Sequence, residues 1–114
     1  MPLSDKDQEI LTAIIKAIPS QDPTITYAQM IETVKSDAPP AEKIEIVTTA
    51  LGRPLTPEEK AVLDVVLVMS HADRTTEAAL LIGLLINQHS GNIIGELIDQ
   101  IVKIITFLFT PSKW

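Results

Sequence analysis

The sequence predicts an all-α protein, a compact bundle of about six short helices forming a single domain over residues 1–114. Three observations carry that prediction. Apolar residues recur at three- and four-residue spacing along most of the chain, with no alternating pattern of comparable quality. Ser, Thr, Pro and Gly stand where helices start and stop. The intervening stretches are short, so consecutive helices should be antiparallel neighbours or sharp crossings.

The first helix is expected over 5–18. Ser4 with Asp7 three residues later resembles a capping box with the shorter acid. Ile10, Leu11, Ile14, Ile15 and Ile18 follow at helical spacing, and Pro19 stops the helix. The stretch "PSQDPT" reads as a loop. The second helix is expected over 27–36, with Thr26 and Gln29 as a capping box and Ile25 and Met30 as a hydrophobic staple. Tyr27, Met30, Ile31 and Val34 would be its inner stripe.

Pro39 and Pro40 suit the start of a third helix, 39–51, because the N–H groups of a first turn lack partners in any case. Ile44, Val47, Ala50 and Leu51 form its stripe, and Gly52 is placed to cap its end. Thr56, Pro57 and Glu59 give the strongest start signal in the chain, for a fourth helix over 57–71. "ADRTT" separates it from a fifth, 76–88. "HSGN" makes a turn before a sixth, 93–109, which Pro111 ends. "IEIVTT" is rich in β-branched residues but lies inside a helical stripe.

Composition excludes several functions. The chain has no cysteine, so disulfides, thiolate zinc sites and cysteine nucleophiles are out. Nine basic against fifteen acidic residues give a net charge of −6 without any basic cluster, which disfavours nucleic acid as a partner. "MPLSDKDQEI" is polar and acidic and does not read as a signal peptide. The longest apolar run, "AALLIGLLI" at 78–86, is half a membrane span. These features predict a soluble, cytoplasmic protein.

No catalytic, cofactor or metal constellation is apparent. His71 reads as the end of the fourth helix, with Asp64 on the same face about 10 Å away, too far for a hydrogen bond. The helix dipole accounts for His71 there, and for His89 at the end of the fifth helix. Neither a GxSxG elbow, a phosphate-binding glycine loop nor a calcium loop is present. The expectation is a protein that is not an enzyme, with no small-molecule substrate, no cofactor and no metal.

Apolar excess is the informative feature. The fourth helix contains "AVLDVVLVM", the fifth is apolar all round from Ala78 to Ile86, and the sixth leaves only a polar line through Asn92, Glu96, Asp99, Lys103 and Thr106. Helices of that kind need cover on every side. Of the aromatic residues Tyr27, Phe107, Phe109 and Trp114, three lie near the C-terminus. Phe107 and Phe109 are two apart and point to different sides of a helix.

The leading expectation is a non-enzymatic protein–protein interaction module, a small acidic adaptor, regulator or inhibitor. It would bind through an apolar surface of helices four to six and the C-terminal tail, with Leu97, Ile101, Ile105, Phe107, Phe109 and Trp114 at the contact, and its partner would be a second copy in a homodimer. A membrane-interacting protein with a pore-forming or saposin-like hairpin over 78–109 ranks second, because it lacks the usual basic face. A carrier of a small apolar ligand ranks third. A competing reading closes these helices on themselves, with helix five at the buried centre. Ala79 and Gly83, four apart, would then permit close helix packing inside the monomer.

Overall fold

The described residues form six helices: α1 (Asp5–Ala17), α2 (Pro23–Lys35), α3 (Pro40–Leu51), α4 (Pro57–Leu67), α5 (His71–Gln88) and α6 (Gly95–Phe109). The computed structural model describes residues 3–18, 23–35, 39–88 and 95–110, and for 23–27, 35, 88 and 95–97 the backbone alone. No strand occurs among the described residues. The "HSGN" turn, with His89, Gly91 and Asn92, lies outside them.

Local chemistry explains most of the boundaries. The Ser4 hydroxyl accepts from the Asp7 N–H at 3.1 Å, and the Asp7 carboxylate accepts from the Ser4 N–H at 3.5 Å. Pro39 precedes α3 in extended backbone, and Gly52 closes it at φ 72°, a left-handed conformation that costs glycine little. At α4 the Thr56 hydroxyl accepts from the Glu59 N–H at 3.2 Å, while the Glu59 carboxylate accepts from the Thr56 N–H at 2.9 Å.

Glu59 does a second job. Both of its oxygens accept from the Arg53 guanidinium, at 2.7 and 2.8 Å. Those bonds hold the Glu59 carboxyl down to about 2 from an ordinary 4.5. A carboxyl depressed on folding stabilises above its unfolded value and loses that contribution as pH falls toward 2. Arg53 is half exposed, so solvent screening reduces the gain to about 1 kcal/mol. Glu59→Ala, which also removes the cap, should cost about 1–2 kcal/mol in urea unfolding at neutral pH and flatten the loss of stability between pH 4.5 and 2.

Two boundaries differ from the sequence expectation. Helix α2 begins at Pro23, so Thr26 is an interior residue and does not cap it. Proline at the first helical position needs no N–H partner and brings its φ preset, which starts the helix early. Helix α4 ends at Leu67 and α5 starts at His71, so "ADRTT" is helical. Ser70 is the cause: its hydroxyl accepts from the Asp73 N–H at 3.2 Å, and its carbonyl takes the Arg74 N–H. The Arg74 side chain reaches back to the Leu67 carbonyl at 3.1 Å and satisfies an orphan acceptor at the end of α4.

Helix α6 is the central element. It packs against α1, α2, α4 and α5. Its Ile101, Ile104, Ile105, Phe107, Leu108 and Phe109 are all buried. Around them lie Leu11, Ile14, Ile15 and Ile18 of α1, Met30 of α2, Val47 and Leu51 of α3, Val62, Leu63 and Val66 of α4, and Leu81 and Leu85 of α5. The expected polar line survives in its described part, with Asp99, Lys103 and Thr106 exposed and Asp99 paired to Lys103 at 2.8 Å. Among the described residues no helix is long and apolar enough to cross a membrane.

Candidate functional site

The described residues expected at a partner contact have a different position. Ile101, Ile105, Phe107 and Phe109 are each at most 6% exposed and belong to the chain's own core. Phe107 and Phe109 do point to different sides, and both sides are covered because α6 packs against four other helices. The Leu97 side chain and Trp114 lie outside the described residues.

Helix α5 is where the fifth-helix expectation and the structure part most clearly. The helix is not buried all round. Glu77, Leu81 and Leu85, at successive four-residue steps, form its buried line. Roughly opposite, Thr76, Ala79, Leu80, Gly83 and Asn87 are exposed, Leu80 by 49%, while Leu84, 38% exposed, borders the buried line beside Asp5, Glu9 and Lys16 of α1. Among the described residues no neighbouring atom lies within 4 Å of where a Gly83 Cβ would sit, and Ala79 is exposed, so the pair makes no close helix contact among them. From Thr75 to Asn87 the exposed residues of α5 carry no charge.

Near the end of α6 stands a lysine in the core. Lys43, 1% exposed, donates from Nζ to the carbonyls of Phe107 at 2.9 Å and Thr110 at 2.6 Å, and lies 5.3 Å from the Phe107 ring centre. It therefore caps the negative end of the α6 dipole from α3. Burial, and after it the positive charge of Arg74, push the Lys43 ammonium down to about 8 from 10.5. On the α5 side of the same helix end a recess of about 290 Å³ opens. His71, Arg74 and Thr75 line it from α5, Thr106 from α6 and Thr110 from just beyond it, over buried apolar residues that include Phe109.

A third feature is an apolar groove of about 330 Å³ between α2 and α6, with Met30, Val34 and Phe107 in its walls and the exposed Ile31 and Val102 beside them. Asp64 and His71 stand on different helices, which dissolves the one carboxylate–imidazole pairing in the sequence. The dipole argument for His71 reverses as well, since it opens α5 rather than closing α4. Asp64 is on the wet side, 3.7 Å from Lys60, and both are more than half exposed.

Sequence reasoning missed Lys43, Glu77 and the Ser70 cap, and each had a signal. Lys43 lies four and seven residues before Val47 and Ala50, on the same stripe. Glu77 lies four and eight before Leu81 and Leu85. It is fully buried; one oxygen accepts from the Gln8 amide at 3.4 Å and the other has no partner among the described residues. Ser70 and Asp73 repeat the spacing of Ser4 and Asp7. Comparison with protein-family models, with curated proteins and with solved structures finds no match.

Proposed function

We propose that this protein is a non-enzymatic interaction module of the cytoplasm, an adaptor, regulator or inhibitor, which pairs with a second copy through the outward row of α5. The supporting observation is that row itself: Thr76, Ala79, Leu80, Gly83 and Asn87, exposed, uncharged and continuous over three turns. The chain carries a net charge of −6, so two copies repel wherever acids face each other. An uncharged face removes that repulsion, and a basic partner would gain nothing from it. Small residues at 79 and 83 permit close approach, and a two-fold axis would set the same row against itself. The row takes over the part that the sequence assigned to the C-terminal aromatics.

A membrane-bound role draws less support. Beyond Arg74 the exposed residues of α5 supply no cation for anionic lipid.

Light scattering after size exclusion, across a hundredfold dilution, tests the proposal. The wild type should run near twice 12.5 kDa at the concentrated end. Leu80→Glu should give a monomer with an unchanged far-UV spectrum, because that side chain is half exposed on the outward row. Gly83→Leu adds a discriminating result. It should raise monomer stability by up to about 1 kcal/mol through helix propensity while blocking association. A wild type that stays monomeric at every concentration, or a dimer untouched by these changes, would overturn the proposal.

A further inference from the structure

Glu77 heads the buried line of α5 and is itself fully buried. Its Oε2 accepts from the Gln8 amide of α1 at 3.4 Å, a long bond, and its Oε1 has no partner among the described residues. Thr12 follows Gln8 by four residues, on the same face of α1. Its hydroxyl is also buried and also without a partner among the described residues. Thr33, Thr48, Thr49 and Thr75 each donate to the carbonyl four residues back, and Thr12 does not. Two orphaned polar groups on neighbouring helices weaken the closed seam, since each gave up water without a replacement.

The seam is also thinly covered. A recess of about 440 Å³ lies over it, lined by Gln8, Thr12 and Lys16 of α1 and by Leu84 of α5. Each helix has another anchor: α1 rests on α4 and α6, and α5 rests on α6. Parting α1 from α5 therefore leaves both docked, while solvent reaches the Glu77 carboxyl, the Thr12 hydroxyl and the Gln8 amide. Burial of Leu81 and Leu85, on the same line of α5, pulls the other way and keeps the closed form dominant.

We propose that the α1–α5 seam is an opening element built into the fold: α5 parts from α1 while still seated on α6, and Glu77 sets how often it does so. Openings of this kind need less free energy than unfolding of the whole chain. The open form bares the buried line of α5, Leu81 and Leu85 with a carboxyl at its head. The proposal does not rest on self-association, because Glu77 lies roughly opposite the exposed row of α5.

The chain has no cysteine, so an introduced thiol is a clean reporter. Thr12→Cys places one where the hydroxyl is buried in the seam, and Val66→Cys places one in the core on α4. In the full chain at neutral pH, an aromatic disulfide reagent should label Val66→Cys at the rate that its global unfolding permits. Thr12→Cys should be labelled at least about tenfold faster than its own global limit. Adding Glu77→Met, which keeps the bulk and removes the orphaned oxygen, should slow labelling of Thr12→Cys about tenfold without lowering the melting temperature. Labelling of Thr12→Cys at its global limit would overturn the proposal, because the seam would then open only with the whole chain. Labelling that Glu77→Met leaves unchanged or speeds up, or a lower melting temperature in that variant, would overturn it too, because Glu77 would then hold the seam shut.

Discussion

Phe107→Ala is expected to destabilise the folded chain by about 3–5 kcal/mol and to lower its melting temperature by about 15 °C. Phe107 is 1% exposed on the central helix, so truncation removes a full aromatic side chain from the core and leaves a cavity that rigid helices fill poorly. The ring also lies 5.3 Å from the Lys43 ammonium, and that contact goes with it. A loss of this size consumes much of the stability of a small domain. Urea unfolding followed by far-UV circular dichroism measures it. The same experiment on Leu80→Glu should show a change within about 0.5 kcal/mol, as for other outward positions. If Phe107→Ala melted like the wild type but no longer associated, the aromatic would belong to a partner and not to the core.

Raising the pH from about 7 to about 10 should stabilise the protein, by no more than about 3 kcal/mol. The source is Lys43. Its folded value, about 8, lies below the ordinary 10.5 because burial disfavours the ammonium and Arg74 adds repulsion. Between those two values the unfolded chain binds more protons than the folded one, and stability then rises with pH. The difference, at about 1.4 kcal/mol per unit, gives the ceiling. The carbonyls of Phe107 and Thr110 favour the charged form and draw the gain below it. Lys43→Met keeps the apolar stem and should abolish the rise. Urea midpoints for both proteins across this pH range decide the matter. Parallel curves would mean that Lys43 does not control the alkaline response.

The caps were the most legible part of this chain. Ser4, Pro40, Gly52 and Thr56 act within one turn of themselves, so their roles follow from nearest neighbours alone. The α4–α5 boundary failed for a comparable reason. Ser70 and Asp73 formed the same local pattern as Ser4 and Asp7, but the apolar run through Met69 and the turn-like look of "ADRTT" outweighed it. The candidate site was much less legible. An apolar helix face has the same sequence signature whether it meets its own core or a partner. Phe107 and Phe109 looked surplus to a single stripe, and Ala79 with Gly83 looked like a buried seam.

By itself the sequence determined the fold class, six helices, most of their ends, and the absence of any thiol or basic-cluster chemistry, since each depends on residue type and short spacing. Only the tertiary structure decided which helix is central, and with it which of the described apolar side chains are buried. Once α6 lies against α1, α2, α4 and α5, its apolar side chains from Ile104 to Phe109 are buried, while Val102 and, on α5, Leu80 stay exposed. The same packing brings Lys43, sixty-four residues distant in the chain, onto the Phe107 carbonyl, and places Arg74 near enough to share its field. Those approaches depend on long-range geometry, which no local pattern encodes.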